Sequence, residues 1–209
     1  VVAIVQARLG STRLPGKVMK QINNKPMIGL LIDRLKLAKK INQIIVAVPD
    51  NDSSIPLKEY LNKSGTYCEE GSEKNVLERF VKVAKKYDAD TVVRITGDCP
   101  LIDPRLVDDV ISLFEKSDSD YSSNINPPSY PDGLDVEVFS STVLYETYKS
   151  TNNVFDLEHI TPYMRNNALL KITNLSNKID LSSLRWTVDE DVDLKVVRKI
   201  FDSFSPKID

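Results

Sequence analysis

The stretch Gln6-Ala7-Arg8-Leu9-Gly10-Ser11-Thr12-Arg13-Leu14-Pro15-Gly16-Lys17 gathers three cations, two glycines and two hydroxyls directly behind an apolar run, Val1–Val5. Glycines let backbone N–H groups approach an anion closely, and cations offset the charge of a polyphosphate. At about 4 Å and an effective dielectric near 20, one cation–phosphate pair is worth about 4 kcal/mol before desolvation. The stretch is not a Walker loop. The spacing from Gly10 to Gly16 is one residue too long, and Val18 stands where that motif needs a hydroxyl. It does not match Gly-x-Gly-x-x-Gly either. A solvated basic loop is the competing reading.

Two further stretches place an acid just past an apolar run. In Arg94-Ile95-Thr96-Gly97-Asp98-Cys99-Pro100, the turn would hold Asp98 at a sheet edge, where a carboxylate can ligate Mg²⁺ together with substrate phosphate. A plain Gly-Asp turn is the alternative. Cys99 reads as a small packed residue. In Arg185-Trp186-Thr187-Val188-Asp189-Glu190-Asp191, Asp189 takes a similar strand-end position, while Glu190, Asp191 and Asp193 suit the first turn of a following helix. Tyr130–Val138 carries Asp132 in a turn signal and Asp135 and Glu137 on one face of an alternating strand. These acids would hold acceptor hydroxyls or an additional metal, or form the wet face of the strand. Glu158 to Arg165 includes the lone His159, a ligand for an acceptor or an ordinary hydrogen-bonded histidine. Seven residues apart, Glu158 and Arg165 would share a helix face. An H-E-x-x-H zinc motif is excluded, because the chain has no second histidine.

Short β-branched runs must position these loops. Strands are expected at Val1–Val5, Ile44–Val48, Thr91–Thr96, Leu134–Phe139, Leu170–Leu175 and Leu184–Val188. Helices are expected from Pro26 to about Lys40, over Pro56–Lys63, behind Ser72 as an N-cap, from Asp103-Pro104, near Asp156–Asn167 and at the C-terminus. Strand–helix alternation in the first half implies βαβ units on a parallel sheet. Ligands of such sheets bind outside the carboxyl ends of the strands, which points to the loops behind Val5, Ile95 and Val188. With no repeat, low-complexity tract or linker, one domain over 1–209 is expected.

The chain has 209 residues, enough to bury a sizeable core. Its 28 Lys+Arg against 30 Asp+Glu give a net charge of −2, so no global positive field exists to hold a nucleic acid. Two cysteines, Cys68 and Cys99, make no disulfide framework, and one histidine makes no multi-histidine zinc site. A reducing, cytoplasmic setting is expected. No apolar run approaches the roughly 20 residues that span a bilayer, and no signal peptide is visible. Val1 is not a natural start, which suggests a short missing piece ahead of it.

Taken together, Ala7–Lys17, Arg94–Asp103, Tyr130–Phe139, Glu158–Arg165 and Leu184–Asp189 resemble the spore-coat-polysaccharide type of cytidylyltransferase, akin to the CMP-Kdo and CMP-sialic acid synthetases. The resemblance implies an α/β fold: a Rossmann-like three-layer α/β/α nucleotidyltransferase with a mixed, mostly parallel sheet. It implies CTP as donor, Mg²⁺ as cofactor, pyrophosphate as product and a sugar or sugar-acid acceptor, for surface polysaccharide biosynthesis. Arg8, Arg13 and Lys17 would hold the triphosphate with backbone N–H groups around Ala7, Gly10, Ser11 and Thr12, and Gly97 would stand beside them. Asp98 and Asp189 match the metal acids. Gly71 and Ser72 are candidates for the cytosine pocket. Residues 126–175, with Asp132, Asp135, Glu137, His159 and Arg165, would serve the acceptor and a homodimer expected by analogy. The Asp135/Glu137 and His159 segments match the spore-coat group but not the Kdo or sialic acid enzymes. A glycosyltransferase consuming an activated sugar is the rival enzyme class, since Asp189-Glu190-Asp191 has Asp-x-Asp letters. A nucleotide-sensing domain is the non-enzymatic one.

Overall fold

A computed structural model describes residues 1–204; residues 205–209 of the unit expected over 1–209 lie outside the described residues. The run V-A-I-V-Q folds as β1 (Val2–Gln6), buried on both faces. Ala3 and Val5 pack to one side of the sheet, Val2 and Ile4 to the other, as a period of two requires. A basic loop leads to a small hairpin, β2 (Gln21–Ile22) and β3 (Lys25–Pro26), turned by Asn23 and Asn24 at positive φ. Then come α1 (Met27–Leu35), β4 (Gln43–Pro49), α2 (Ile55–Lys63), β5 (Tyr67–Gly71), α3 (Val76–Lys86) and β6 (Thr91–Thr96). The second half adds α4 (Pro104–Ser117), β7 (Tyr121–Ser123), β8 (Glu137–Ser140), α5 (Ser141–Ser150), α6 (Val154–His159), α7 (Pro162–Arg165), β9 (Ile172–Asn174) and α8 (Asp191–Phe204).

The main sheet runs β5-β4-β1-β6-β8-β7-β9. β8 pairs antiparallel with both neighbours, and every other pairing is parallel, so only β8 is reversed. Side chains of α1, α2, α4 and α8 cover one face; α3, α5 and α7 cover the other, with α6 at its margin. This is the expected three-layer α/β/α arrangement with a mixed, mostly parallel sheet. Among the described residues no helix is long and apolar enough to cross a membrane.

Five local expectations change. α1 stops at Leu35 rather than near Lys40, because Asp108 on α4 accepts the Lys39 and Lys40 amides, both at 2.9 Å. Asn75, not Ser72, caps α3: the Glu78 amide donates to Asn75 Oδ1 at 2.9 Å, and Ser72 Oγ takes the Asn75 amide. The helix expected near 156–167 breaks at buried Ile160, which has φ 70°, so Glu158 and Arg165 fall on separate helices and share no face. Leu184–Val188 is not a strand. Its Trp186 and Thr187 amides donate to Asp132 O and its Val188 amide to Asp98 O, leaving one isolated bridge between Asp132 and Arg185. The strand expected over Leu134–Phe139 begins only at Glu137.

Glu137 is also not on a wet face. It is 2% exposed, pairs with Arg94 across β6 and β8, and accepts from Tyr121 Oη at 2.6 Å. Burial alone would raise its pKa; Arg94 and the hydroxyl donors outweigh that and hold the carboxyl below its usual range. Its contribution to stability is therefore present above the unfolded carboxyl pKa of about 4.3 and fades as pH falls through the lower folded value. Glu137→Ala should remove about 3–5 kcal/mol of unfolding free energy by stranding Arg94 in the interior. Urea denaturation at neutral pH measures it, and a loss below about 1 kcal/mol would refute a paired, buried role.

Candidate active site

Three segments converge over the carboxyl ends of β1 and β6. The loop after β1 folds back on itself: the Ser11 and Gly16 amides both donate to Leu9 O, and Gly16 adopts φ 66° so that a single 3₁₀ turn can start at Lys17. The loop after β6 is pressed against β1. A Cβ on Gly97 would stand 2.9 Å from Gln6 O, so only glycine permits that approach. The third segment, 185–189, is tied to the second by the Val188 amide on Asp98 O. Gly133, at φ 107°, lets the 130s loop lie on it: a Cβ there would be 2.4 Å from the Thr187 nitrogen.

Lys17 stands where the three meet. Its Nζ donates to Asp98 Oδ2 at 2.7 Å and to Asp189 Oδ1 at 2.8 Å. Burial alone would lower its pKa, but the two carboxylates outweigh it and raise the ammonium above its ordinary value. Asp189 receives two further cations, Arg13 at 2.9 Å and Arg185 at 2.7 Å. Burial pushes Asp189 up; Lys17, Arg185 and Arg13 outweigh it and hold the carboxyl low. Arg185 also reaches Asp132 at 2.6 Å and Asp193 at 3.2 Å. Asp193 in turn accepts the Asp189 and Glu190 amides, both at 2.9 Å, which caps α8 and fixes the backbone under Asp189.

Lys17, Arg13, Asp98, Asp132 and Asp189 line a pocket of about 390 Å³, with Arg185 and Asp193 behind its wall. Of the residues expected to serve a site, Ala7, Arg8, Ser11, Thr12, Arg13, Lys17, Gly97, Asp98, Asp132, Asp135, His159 and Asp189 line it. Gly10, Gly71, Ser72, Glu137 and Arg165 do not. Gly71 is buried against Arg79, Glu137 lies in the core, and Arg165 sits on α7 with its Nε buried and unpartnered. His159 tilts against Phe155, ring centroids 4.4 Å apart. Burial foremost, then Asp132 and Glu137, push the Asp135 carboxyl up to about 6, with Arg94 opposing. Cys99 is buried and its thiol is pushed well up, mainly by burial, so it packs rather than reacts.

Sequence reasoning missed Arg79, Arg94, Glu158 and Thr187 on the wall and the clamp made by Arg185. Arg79 carried a signal: it occupies an apolar-stripe slot with Val76, Phe80 and Val83 at helical spacing.

Among the described residues no three His, Cys, Asp or Glu side chains gather to hold a metal. Asp98 and Asp189 alone, both bonded to one ammonium, fit a hard cation that takes few protein oxygens and draws the rest from phosphate and water.

The chain belongs to the cytidylyltransferase family, whose sequence model matches residues 2–194. It is a nucleotidyltransferase. It is 30% identical over 210 residues to the spore coat polysaccharide biosynthesis protein SpsF of Bacillus subtilis, spanning 96% of this chain and 86% of that protein. A cytidylyltransferase from Leptospira borgpetersenii superposes with a TM-score of 0.95 at 30% identity, covering 100% of this chain and 89% of that one. A CMP:2-keto-3-deoxy-manno-octonic acid synthetase complexed with CTP shares the fold, with a TM-score of 0.74 at 19% identity over 97% of this chain and 98% of that one.

Without Lys17 the two carboxylates would face each other with one bridging cation fewer. Lys17→Met should lower stability by about 1–3 kcal/mol, below the fully buried case because Asp98 and Asp189 are partly exposed. Millimolar Mg²⁺ should raise the melting temperature of this variant more than that of the parent. An equal response from both would argue against the carboxylate pair as a divalent-cation site.

Proposed function

We propose that the chain transfers CMP from CTP to an oxygen of a sugar-acid acceptor, releasing pyrophosphate, in the making of a surface polysaccharide. The observation that carries this reading is Lys17 held between Asp98 and Asp189 under a basic, glycine-containing loop. Membership of the cytidylyltransferase family supports the donor, the name of the Bacillus relative supports the polysaccharide, and that of the CTP-bound synthetase supports the sugar-acid acceptor.

In this reading an acceptor oxygen forms a bond to the α-phosphorus as the bond to the bridging oxygen breaks, and the electron pair leaves with pyrophosphate. Catalysis is then mostly positioning and charge stabilisation. Arg8, Arg13 and Lys17, with the loop around Thr12, bind the triphosphate and balance charge growing on the leaving group. Asp98 and Asp189 would hold Mg²⁺, which when bound neutralises α-phosphate oxygens. Asp132, Asp135 and His159 face the same space and orient the acceptor, with residues 126–175 forming its side of the pocket. An acceptor hydroxyl would give up its proton to water as the O–P bond forms, while an already ionised acceptor has none to lose, so neither needs a dedicated base.

Pyrophosphate release, assayed with a panel of sugar acids that includes 2-keto-3-deoxy-manno-octonate, should be supported by CTP and Mg²⁺ and not by UTP, ATP or GTP. Release with another triphosphate alone would keep the reaction and change the donor; turnover only when a nucleotide sugar is supplied, with nucleoside diphosphate released from it, would point to the glycosyltransferase class. Asp98→Asn should lower turnover about 100-fold or more with the circular dichroism spectrum unchanged. Near-parental turnover would remove Asp98 from the chemistry. Lys17→Ala should weaken CTP binding by a larger factor than CMP binding; equal losses would take Lys17 off the β- and γ-phosphates.

A further inference from the structure

Arg79 is a buried cation that the site described above leaves unpaired. It lies in the first turns of α3, is 3% exposed, and its Nε and Nη1 are buried with nothing to donate to. Among the described residues no carboxylate is within ion-pairing distance of it; Glu73 and Asp50 act on it only from farther away, and Arg8 repels it. Burial, then Arg8, bring its pKa down to about 10, so it stays charged at neutral pH. A lone guanidinium in the interior is strongly unfavourable, yet the fold is shaped to keep this one. A Cβ on Gly71 would stand 2.7 Å from Arg79 Cγ, so the glycine at the end of β5 is what lets the side chain run past. The side chain lines the same pocket as Lys17, with Val76 one turn earlier and Arg8 across from it. Arg8 is itself weakly engaged, its ion pair being the half-exposed Glu158 at 3.6 Å.

We propose that Arg79, beside the Arg8 already assigned to the triphosphate, forms an oxyanion subsite on the α3 side of the pocket that receives one anionic oxygen group of the reactants. A base carbonyl would supply a hydrogen bond without a counter-charge; a phosphate or carboxylate supplies both. The group is a phosphate of the nucleotide or the carboxylate of a sugar acid, two sources of the same chemistry. The inference rests on the reaction proposed above being the one this pocket serves.

Arg79→Met keeps the stem and removes the guanidinium. Calorimetry of parent and variant with CTP, inorganic tripolyphosphate and 2-keto-3-deoxy-manno-octonate, each with Mg²⁺, separates the sources. The variant should melt at or above the parent temperature, since an unpaired buried charge is gone, and should lose about tenfold or more in affinity for one ligand class. Loss for CTP and tripolyphosphate alone assigns the oxyanion to phosphate; loss for the sugar acid alone assigns it to carboxylate. Gly71→Ala, which displaces the stem, should weaken the same class. A variant that binds all three as the parent does, or that melts about 4 °C or more below it, overturns the subsite and makes Arg79 structural. A parent that binds none of the three sinks the functional reading first, and the subsite with it.

Discussion

One ammonium organises the carboxyl end of the sheet. Lys17 Nζ joins Asp98 and Asp189, residues 91 positions apart on loops of different origin, to the loop that follows β1. Each contact is worth about 4 kcal/mol at an effective dielectric near 20 before desolvation is subtracted, and Lys17 is the cation that touches both carboxylates. Other local features serve this meeting. Gly16 turns the chain so that Lys17 points inward, Gly97 brings the Asp98 loop onto β1, and Gly133 lets the 130s loop rest on the segment carrying Asp189. The hydrogen bonds of the 185–189 segment go to Asp98 O and Asp132 O rather than to a neighbouring strand. Regular secondary structure is given up there for position.

Much of the first half was legible because parallel strands covered on both faces read as apolar runs, as β1 and β4 do and as β6 does around its single Arg94. β5 was not, since Tyr67-Cys68-Glu69-Glu70-Gly71 is an edge strand with polar residues on it. In the second half the apolar pattern misled twice. Leu184–Val188 has strand-like composition but spends its amides on loops, and the stretch from Asp156 has helical composition but must break so that Ile160 can enter the core. The acids at strand ends could be read from sequence because their position is set by the topology of the sheet. Glu137 could not: alternation placed it opposite Val136 and Val138, but nothing in a single sequence shows that Arg94 and Tyr121 wait on that face. Arg79 and Arg185 were hidden for a related reason. An arginine on a helix or in a loop reads as solvated until its burial and its partners, or their absence, are seen in three dimensions.

Charge bookkeeping in the pocket constrains how the proposed reaction can start. Lys17, Arg13 and Arg185 face Asp98, Asp132, Asp189 and Asp193 in one linked array, three positive against four negative charges, a net of −1. Arg8 and Arg79 lie outside that array on the same pocket wall, while Lys17 and Arg13, two of the cations assigned to the triphosphate, are already holding acids. In the proposed reaction Lys17 and Arg13 would turn to phosphate as Asp98 and Asp189 came to hold a divalent cation, which would supply their counter-charge. In that reaction nucleotide and metal binding would be linked through the same two carboxylates, whose ion pairs hold open the geometry into which both must fit.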